Sequence, residues 1–534
     1  MKFDPITLEI LWQRLVSAAD EAGAALLRSS FSTIVRESYD FACIVTDTKG
    51  RSIAQASESI PSFIGTLPRT VKHFLAHFPV ETLKAGDILI TNDPWMGTGH
   101  LPDLSLAKPM FAEGRFIGMV ATTAHAPDMG GKTGSADVRD IFEEGLQVPM
   151  MKLMDAGVAN ETLIAMIRKN TRVPDQVIGD LWAQIAALQL LEQRSVELAR
   201  ENRFETLDEL ADEIIGRTER AMRDAIAKFP DGQYEYSLQA DGLREPLTLK
   251  VAIDVDGERI KVDYAGSSNQ VDRGINVALC YTASQTAYAL KCLLSPDLPN
   301  NEGALLPIEV TAPEGSILNH TYPQSGQSRT LVGHFLPFLI FGAFETAAPH
   351  LIMSGAGSPL WSMQVTGQDD GGRTFVNKIF FNGGVGAMHN RDGYACLSWP
   401  SNVSNVPIEM TEQQSPLRYE FKRLRGGSGG DGEYRGGLGQ EVQLRHAGER
   451  PVVIGFHAER TQTPAPGVCG GRHGSTGVLQ INGRALTPAE QKRQHRVEPG
   501  DVVYLATPGG GGFGDPEKRN PERRRKDEVI GYLA

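Results

Sequence analysis

Cysteine is scarce in this chain of 534 residues. Cys43, Cys280, Cys292, Cys396 and Cys469 are odd in number, scattered, and never spaced as C-x-x-C. That pattern excludes a cysteine-built zinc ribbon and fits a reducing compartment. Long apolar runs are missing too, and no window approaches the roughly 20 residues that span a bilayer. The N-terminus passes straight into an amphipathic pattern, without the basic region, apolar stretch and cleavage site of a signal peptide. The expected location is the cytoplasm, with no membrane partner. Positive charge is in the minority, with 53 Lys and Arg against 65 Asp and Glu and a formal net charge of -12. The one basic cluster, Arg523 to Lys526, reads as a solvated helix face, so nucleic acid is not an expected partner.

What remains is ordinary globular material. Hydrophobic residues make up 41% and charged residues 22%, which argues against disorder or a fibrous repeat. The length exceeds what one core usually organises, so several lobes are expected. Asp4 followed by Pro5 opens a helix whose buried face is Leu8, Leu11, Leu15, Ala18, Ala22 and Leu26. Short β-like runs follow at Phe41 to Thr46, Asp87 to Thr91 and Phe116 to Thr122. Cys43, inside the first run, reads as a small buried hydrophobe.

From Asp175 to Phe229 the pattern turns helical, with a break near Asn202 and a capping box predicted at Thr206-x-x-Glu209. Leu247 to Tyr264 alternates around Asp256-Gly257, which predicts a β-hairpin. Beyond Pro313 the chain reads as strand-like and glycine-rich, with long loops at Arg425 to Gly439 and Pro508 to Asp515. The expected fold is α+β and multi-lobed, with mixed or antiparallel sheets, a long helical hairpin and a β-rich C-terminal half. The expected divisions are residues 1–174, an α+β region that binds a metal; 175–230, the helical hairpin; 231–420, an α+β middle region; and 421–534, β-rich with glycine loops.

Two β-like runs end in residue types that hold metals. His100 and Asp103 follow the run Asp87 to Thr91, and His125 follows the run Phe116 to Thr122. If those strands are neighbours, both imidazoles and a carboxylate converge at one edge. Imidazole nitrogen with carboxylate oxygen suits Zn, Mn or Fe, whereas an all-oxygen set would suggest Mg or Ca. Taken alone, H-x-x-D in a loop equally describes hydrogen-bonded loop residues. Asp40, at the mouth of the first strand, is a fourth candidate or else a turn residue.

A larger pattern contains these residues. The segments Thr91-Asn-Asp-Pro94, Gly99-His-Leu-Pro-Asp103, Ala124-His125 with Asp128-Met-Gly-Gly131, Glu143-Glu-Gly145, Arg435-Gly-Gly-Leu-Gly439 and Pro508-Gly-Gly-Gly-Gly-Phe-Gly-Asp515 resemble the hydantoinase B/oxoprolinase family over nearly the whole chain. That family includes B subunits of ATP-dependent N-methylhydantoinases and caprolactamases, half of 5-oxoprolinase, and the acetone carboxylase alpha subunit.

The resemblance implies a partner, a hydantoinase A-type ATPase chain that phosphorylates the substrate, in a hetero-oligomer of AB pairs. ATP would be bound by that partner and not by this chain. Here it implies one divalent metal ion on Asp40, His100, Asp103 and His125, activating water toward a phosphorylated cyclic amide such as a hydantoin, an oxoproline-like ring or a lactam. The alternative activity is that of an acetone carboxylase alpha-type subunit. Asp128 would orient a ligand histidine or the water, or else be a structural turn aspartate, and Glu143 or Glu144 would serve as a base or simply be solvated. Two departures stand out: many members have histidine at the positions of Phe63 and Ala126, which predicts a more apolar pocket.

Three glycine-bearing motifs invite other readings. Ala126 to Thr133 satisfies a permissive P-loop expression, but no apolar helical stripe follows it. Gly426-Gly-Ser428-Gly-Gly430 spells a nucleophile elbow without a buried strand before it. Gly509-x-Gly511-x-x-Gly514 spells a dinucleotide fingerprint with too little chain after it. The last two read as structural loops, and His334, His389, His457 and His473 as satisfied structural histidines.

Overall fold

The computed structural model describes residues 3–132 and 134–533. Asp4 caps the first helix, Pro5–Ser29, its carboxylate accepting the N–H groups of Ile6 and Thr7 at 3.1 and 3.0 Å. The predicted face from Leu8 to Leu26 is buried. It lies over a seven-stranded sheet made of β1 (Phe41–Thr46), β2 (Ser52–Gln55), β3 (Ile88–Thr91), β4 (Asp103–Ala112), β5 (Arg115–His125), β6 (Met151–Asp155) and β7 (Val158–Ala159). The spatial order is β2-β1-β5-β4-β3-β6-β7, antiparallel throughout.

Period-two alternation sends Phe41, Cys43, Val45, Ile90 and Leu104 to the face under the first helix and the hairpin. Ala42, Ile44, Leu89, Ala107 and Ala121 go to the other face, against the helix Phe63–His77. With both faces covered, β1 is buried at every residue. Cys43 is thus a core residue, and burial pushes its thiol up to about 12.

The helical hairpin forms as Pro174–Glu201 and Asp208–Ile226. Its second helix is not started by the predicted capping box. Thr206 Oγ1 accepts the N–H of Asp208 at 3.3 Å, two residues on, and the helix begins after Leu207 without a side-chain cap. Asp208 instead anchors the helix to the β1–β2 turn by accepting from Thr48 N and Oγ1 at 3.1 and 2.8 Å.

The second sheet consists of β8 (Gly232–Ala240), β9 (Leu247–Asp256), β10 (Arg259–Asp263) and β11 (Ile308–Thr311), with β10 and β11 parallel. The predicted hairpin is β9–β10, turning at Gly257 with φ +57. This sheet packs on the helices Leu279–Leu294 and Leu336–Ala343. The second helix corrects the strand-like reading after Pro313. It is apolar on every side and wholly buried, so it carries no amphipathic period to reveal it.

The C-terminal half holds two further sheets around one core. One contains β12 (Trp361–Gln368), β13 (Thr374–Phe381), β16 (Val452–His457) and β19 (Gln494–Val497); the other contains β14 (Leu417–Leu424), β15 (Gln440–His446), β17 (Val478–Ile481), β18 (Arg484–Ala485) and β20 (Val502–Ala506). Beside them the glycine loops form a backbone-only bundle. Gly384 N–H donates to Pro508 O, and Gly510 N–H to Gly437 O, each at 2.9 Å. A Cβ on Gly384 would lie 1.8 Å from Gly437 O, so only glycine fits. The fingerprint-like run Gly509 to Gly514 is therefore structural.

The basic residues Arg523 to Lys526 lie exposed on the helix Pro521–Val529. Among the described residues, no helix is long and apolar enough to cross a membrane.

Candidate metal centre

The site grows from strand register. β4 begins at Asp103 and β5 ends at His125, and these two residues are Cα partners across the ladder. On the other side of β5, Phe41 pairs with Ala124, and His125 N–H donates to Asp40 O at 3.1 Å. Three adjacent strands thus end level, with Asp40, His125 and Asp103 in a row. The expected adjacency of β3 and β5 is not made, since β4 lies between them. His100 arrives from the loop joining β3 to β4.

Buried polar contacts hold that loop. Asn92 Nδ2 donates to Leu101 O and Leu146 O at 2.8 and 2.9 Å, and Glu144 Oε1 accepts Leu101 N–H at 2.8 Å. Gly99 takes φ +99, where a Cβ would meet Arg329 Cδ at 2.8 Å. His100 Nδ1 donates to Gln327 O at 2.9 Å, which fixes the tautomer and leaves the Nε2 lone pair toward Asp103 Oδ1, also 2.9 Å away. His125 Nδ1 approaches the same oxygen at 2.9 Å.

His100, Asp103 and His125 each offer a ligand atom within 4.8 Å of the others. Asp40 stands outside that group of three but beside it, with Oδ2 at 3.9 Å from His125 Nδ1. His100 Nε2 is buried without a hydrogen-bond partner. A ring nitrogen without a hydrogen-bond partner, facing a carboxylate and a second imidazole, is a donor set that could hold a divalent cation.

Electrostatics favour the ligand forms. Burial alone would raise Asp103, but His100 and Arg329 outweigh it and hold the carboxyl well below the usual range. Burial, then Arg329, lowers His100. Burial, then Lys378, pushes His125 down to about 4. Both shifts favour the neutral imidazole, the form that binds a metal. Burial raises Asp40, against the pull of His125.

The other predicted residues are placed differently. Asp128 is spent on a turn: Oδ1 accepts from Gly130 N at 3.1 Å and Arg172 Nη1 at 2.7 Å, and Oδ2 accepts from Arg172 N. Its expected part in orienting a histidine gives way to that closure. Glu143 pairs with Arg139 Nε at 2.6 Å. Glu144 is buried, and its second oxygen accepts from Ser325 Oγ at 2.7 Å. Burial lifts its carboxyl to about 7. A cavity at the cluster is lined by His100, Asp103 and His125 and also by the apolar side chains of Ile60, Phe63, Leu360, Phe380 and Val403. Ala126 is buried at the edge of a smaller neighbouring cavity.

The P-loop-like segment shows no helix over residues 134–139, and its Thr133 lies outside the described residues. Ser428 of the elbow-like run donates to Arg425 O at 2.6 Å and accepts from Gly439 N, closing its own loop. His457 is satisfied, as expected, by Ser328 and Ser362 Oγ at 2.9 Å each, yet it lines the cavity, as does His334.

Three contributors escaped the sequence reading. Arg329 Nη2 donates to Asp103 Oδ2 at 2.9 Å, Thr98 Oγ1 donates to the same oxygen, and Lys378 Nζ lies 3.4 Å from His125 Nε2. One signal was available: Lys378 is the sole charge in the apolar strand Thr374–Phe381.

A family model described as hydantoinase B/oxoprolinase matches residues 4–516. A relative from Pseudomonas sp. (strain NS671), named for the B component of a D-/L-hydantoinase, is 32% identical over 100% of this chain and 94% of its own length. A 5-oxoprolinase of Dictyostelium discoideum is 29% identical over 97% of this chain, which spans only 41% of that protein. In fold, the chain superposes on an ATP-dependent caprolactamase from Pseudomonas jessenii with a TM-score of 0.93 at 24% identity, over 100% of this chain and 95% of that one. It superposes on an acetone carboxylase with a TM-score of 0.89 at 18% identity, over 100% of this chain and 78% of that one.

Proposed function

The chain belongs to the hydantoinase B/oxoprolinase family, and from that premise we propose that it is the metal-bearing B-type subunit of an ATP-dependent cyclic-amide hydrolase. The reading rests above all on one observation: His100, Asp103 and His125 converge in the wall of a cavity, with a ring nitrogen of His100 left without a hydrogen-bond partner.

An unstrained ring amide resists water because resonance makes its carbonyl a poor electrophile and its nitrogen a poor leaving group. Phosphorylating the carbonyl oxygen, the task of a hydantoinase A-type partner, turns that oxygen into a leaving group. ATP belongs to the partner in this reading. The 5-oxoprolinase relative, of which this chain spans 41%, supports a second functional part carried outside it. AB pairing follows from the same division of labour.

When bound, a divalent ion, Zn, Mn or Fe by donor type, would activate water and polarise the reacting carbon. The chain's own residues prepare that setting. Gln327 O keeps the His100 proton on Nδ1, and Arg329 keeps Asp103 ionised. Phe63, Leu360 and Phe380 offer apolar surface in the cavity against which a ring could pack. Glu144 braces Leu101 and Ser325, so that the loop carrying His100 does not drift from Gln327.

The test is elemental analysis of the purified chain, followed by a turnover screen of small ring amides with ATP and the partner. One divalent ion and ATP-dependent ring opening are expected. A metal-free chain that still completes turnover would end the proposal, and substrate loss that depends on bicarbonate would replace hydrolysis with carboxylation.

A further inference from the structure

Arg329 is 3% exposed, yet only part of its guanidinium is satisfied. Nη2 bonds Asp103 and the plane rests on the Tyr281 ring, 4.5 Å from its centroid. Nε and Nη1 are buried without a hydrogen-bond partner. A buried donor left unmet is destabilising, and more so when it is charged. Arg329 is one of the residues that line the cavity beside the cluster.

Lys378 reaches the same cavity from β13. It is half-buried, its Nζ meets His125 Nε2 at 3.4 Å and lies 5.6 Å from the Phe380 centroid, and among the described residues no carboxylate pairs with it. Two cationic donors from different lobes therefore flank the three-residue cluster.

We propose that Arg329 and Lys378 form an oxyanion subsite beside the cluster, which takes the phosphoryl group of an activated substrate. The guanidinium fork suits a tetrahedral oxyanion through parallel N–H groups, and the ammonium adds a point charge.

The phosphoryl identity rests on the hydrolase reading above, whereas the oxyanion chemistry rests on the two side chains. Free phosphate shares that chemistry and is the probe.

The experiment is calorimetric titration of the metal-loaded full chain with inorganic phosphate, with bicarbonate and a neutral ring amide as separate arms, and with metal content measured on every sample. Lys378→Met should weaken phosphate binding by about tenfold or more, with metal content unchanged. Lys378→Arg should restore it, and Arg329→Lys should weaken it by about tenfold while thermal unfolding stays cooperative. Equal phosphate binding by wild type and Lys378→Met overturns the subsite, as does wild type that binds bicarbonate but no phosphate. Phosphate binding that depends on both residues in a chain that binds no metal would keep the subsite and end the hydrolase reading. Metal and turnover with phosphate binding indifferent to both substitutions would do the reverse.

Discussion

Asp103 and His125 face each other as Cα partners on adjacent antiparallel strands, and His125 Nδ1 sits 2.9 Å from Asp103 Oδ1. The pair is therefore set by backbone hydrogen bonding and not by loop conformation. A slip of one residue would send one of the two side chains to the opposite face.

His125→Ala removes a proposed ligand at the last residue of a strand whose ladder does not depend on the ring. The fold should survive, with a far-ultraviolet spectrum like the wild type, while metal content falls from about one ion per chain toward zero and turnover is lost. A variant that keeps both metal and activity would refute the centre.

Asp128→Ala should do the opposite. Its carboxylate closes a turn on Arg172 and Gly130, so the loss is one of stability, about 1–3 kcal/mol in urea unfolding. Metal content should not change. Loss of metal at undiminished stability would return Asp128 to the site.

Gly99→Ala tests the loop. At φ +99 a side chain is strained, and the new methyl would strike Arg329 Cδ, 2.8 Å away. A cost of about 1–3 kcal/mol is expected, together with weaker metal retention against a chelator, because Arg329 holds Asp103. Wild-type stability and retention would show that the loop accommodates a methyl there.

Glu144 gives a pH signature. Burial lifts its folded-state carboxyl to about 7 from an ordinary value of 4.5. The unfolded chain releases that proton first, so the group's contribution is full below pH 4.5 and is lost as pH rises toward 7. Relative to Glu144→Gln, the wild type should lose about 3 kcal/mol across that window and nothing further above it. Unfolding measured at intervals from pH 4.5 to 8 checks this, and parallel profiles would contradict it.

Part of the site was legible because His125 ends a strand with a clear local pattern and His100 and Asp103 follow another. His100 and Asp103 lie three residues apart, and His125 directly follows a run of β-forming residues. The strand Asp103–Ala112 went unread, although it is the element that brings both histidines to one carboxylate. Its Lys108 and Pro109 interrupt the alternation; Lys108 is buried all the same, against Glu192 at 3.3 Å. Arg329 and Lys378 went unread for a different reason. Nothing near Arg329 in the chain marks it, Lys378 is marked only as the lone charge of its strand, and the neighbours that give the two their place are distant in sequence. The helix Leu336–Ala343 hid because complete burial erases periodicity.

The division between one sheet that holds the ligands and later lobes that close over them has a kinetic consequence. Arg329 lies 226 residues beyond Asp103, and Lys378 lies 253 beyond His125. During synthesis the N-terminal sheet can set its register while those residues are still unmade. A cation bound at that stage would meet the cluster in an open basin, before Arg329 and Lys378 had come to lie against it.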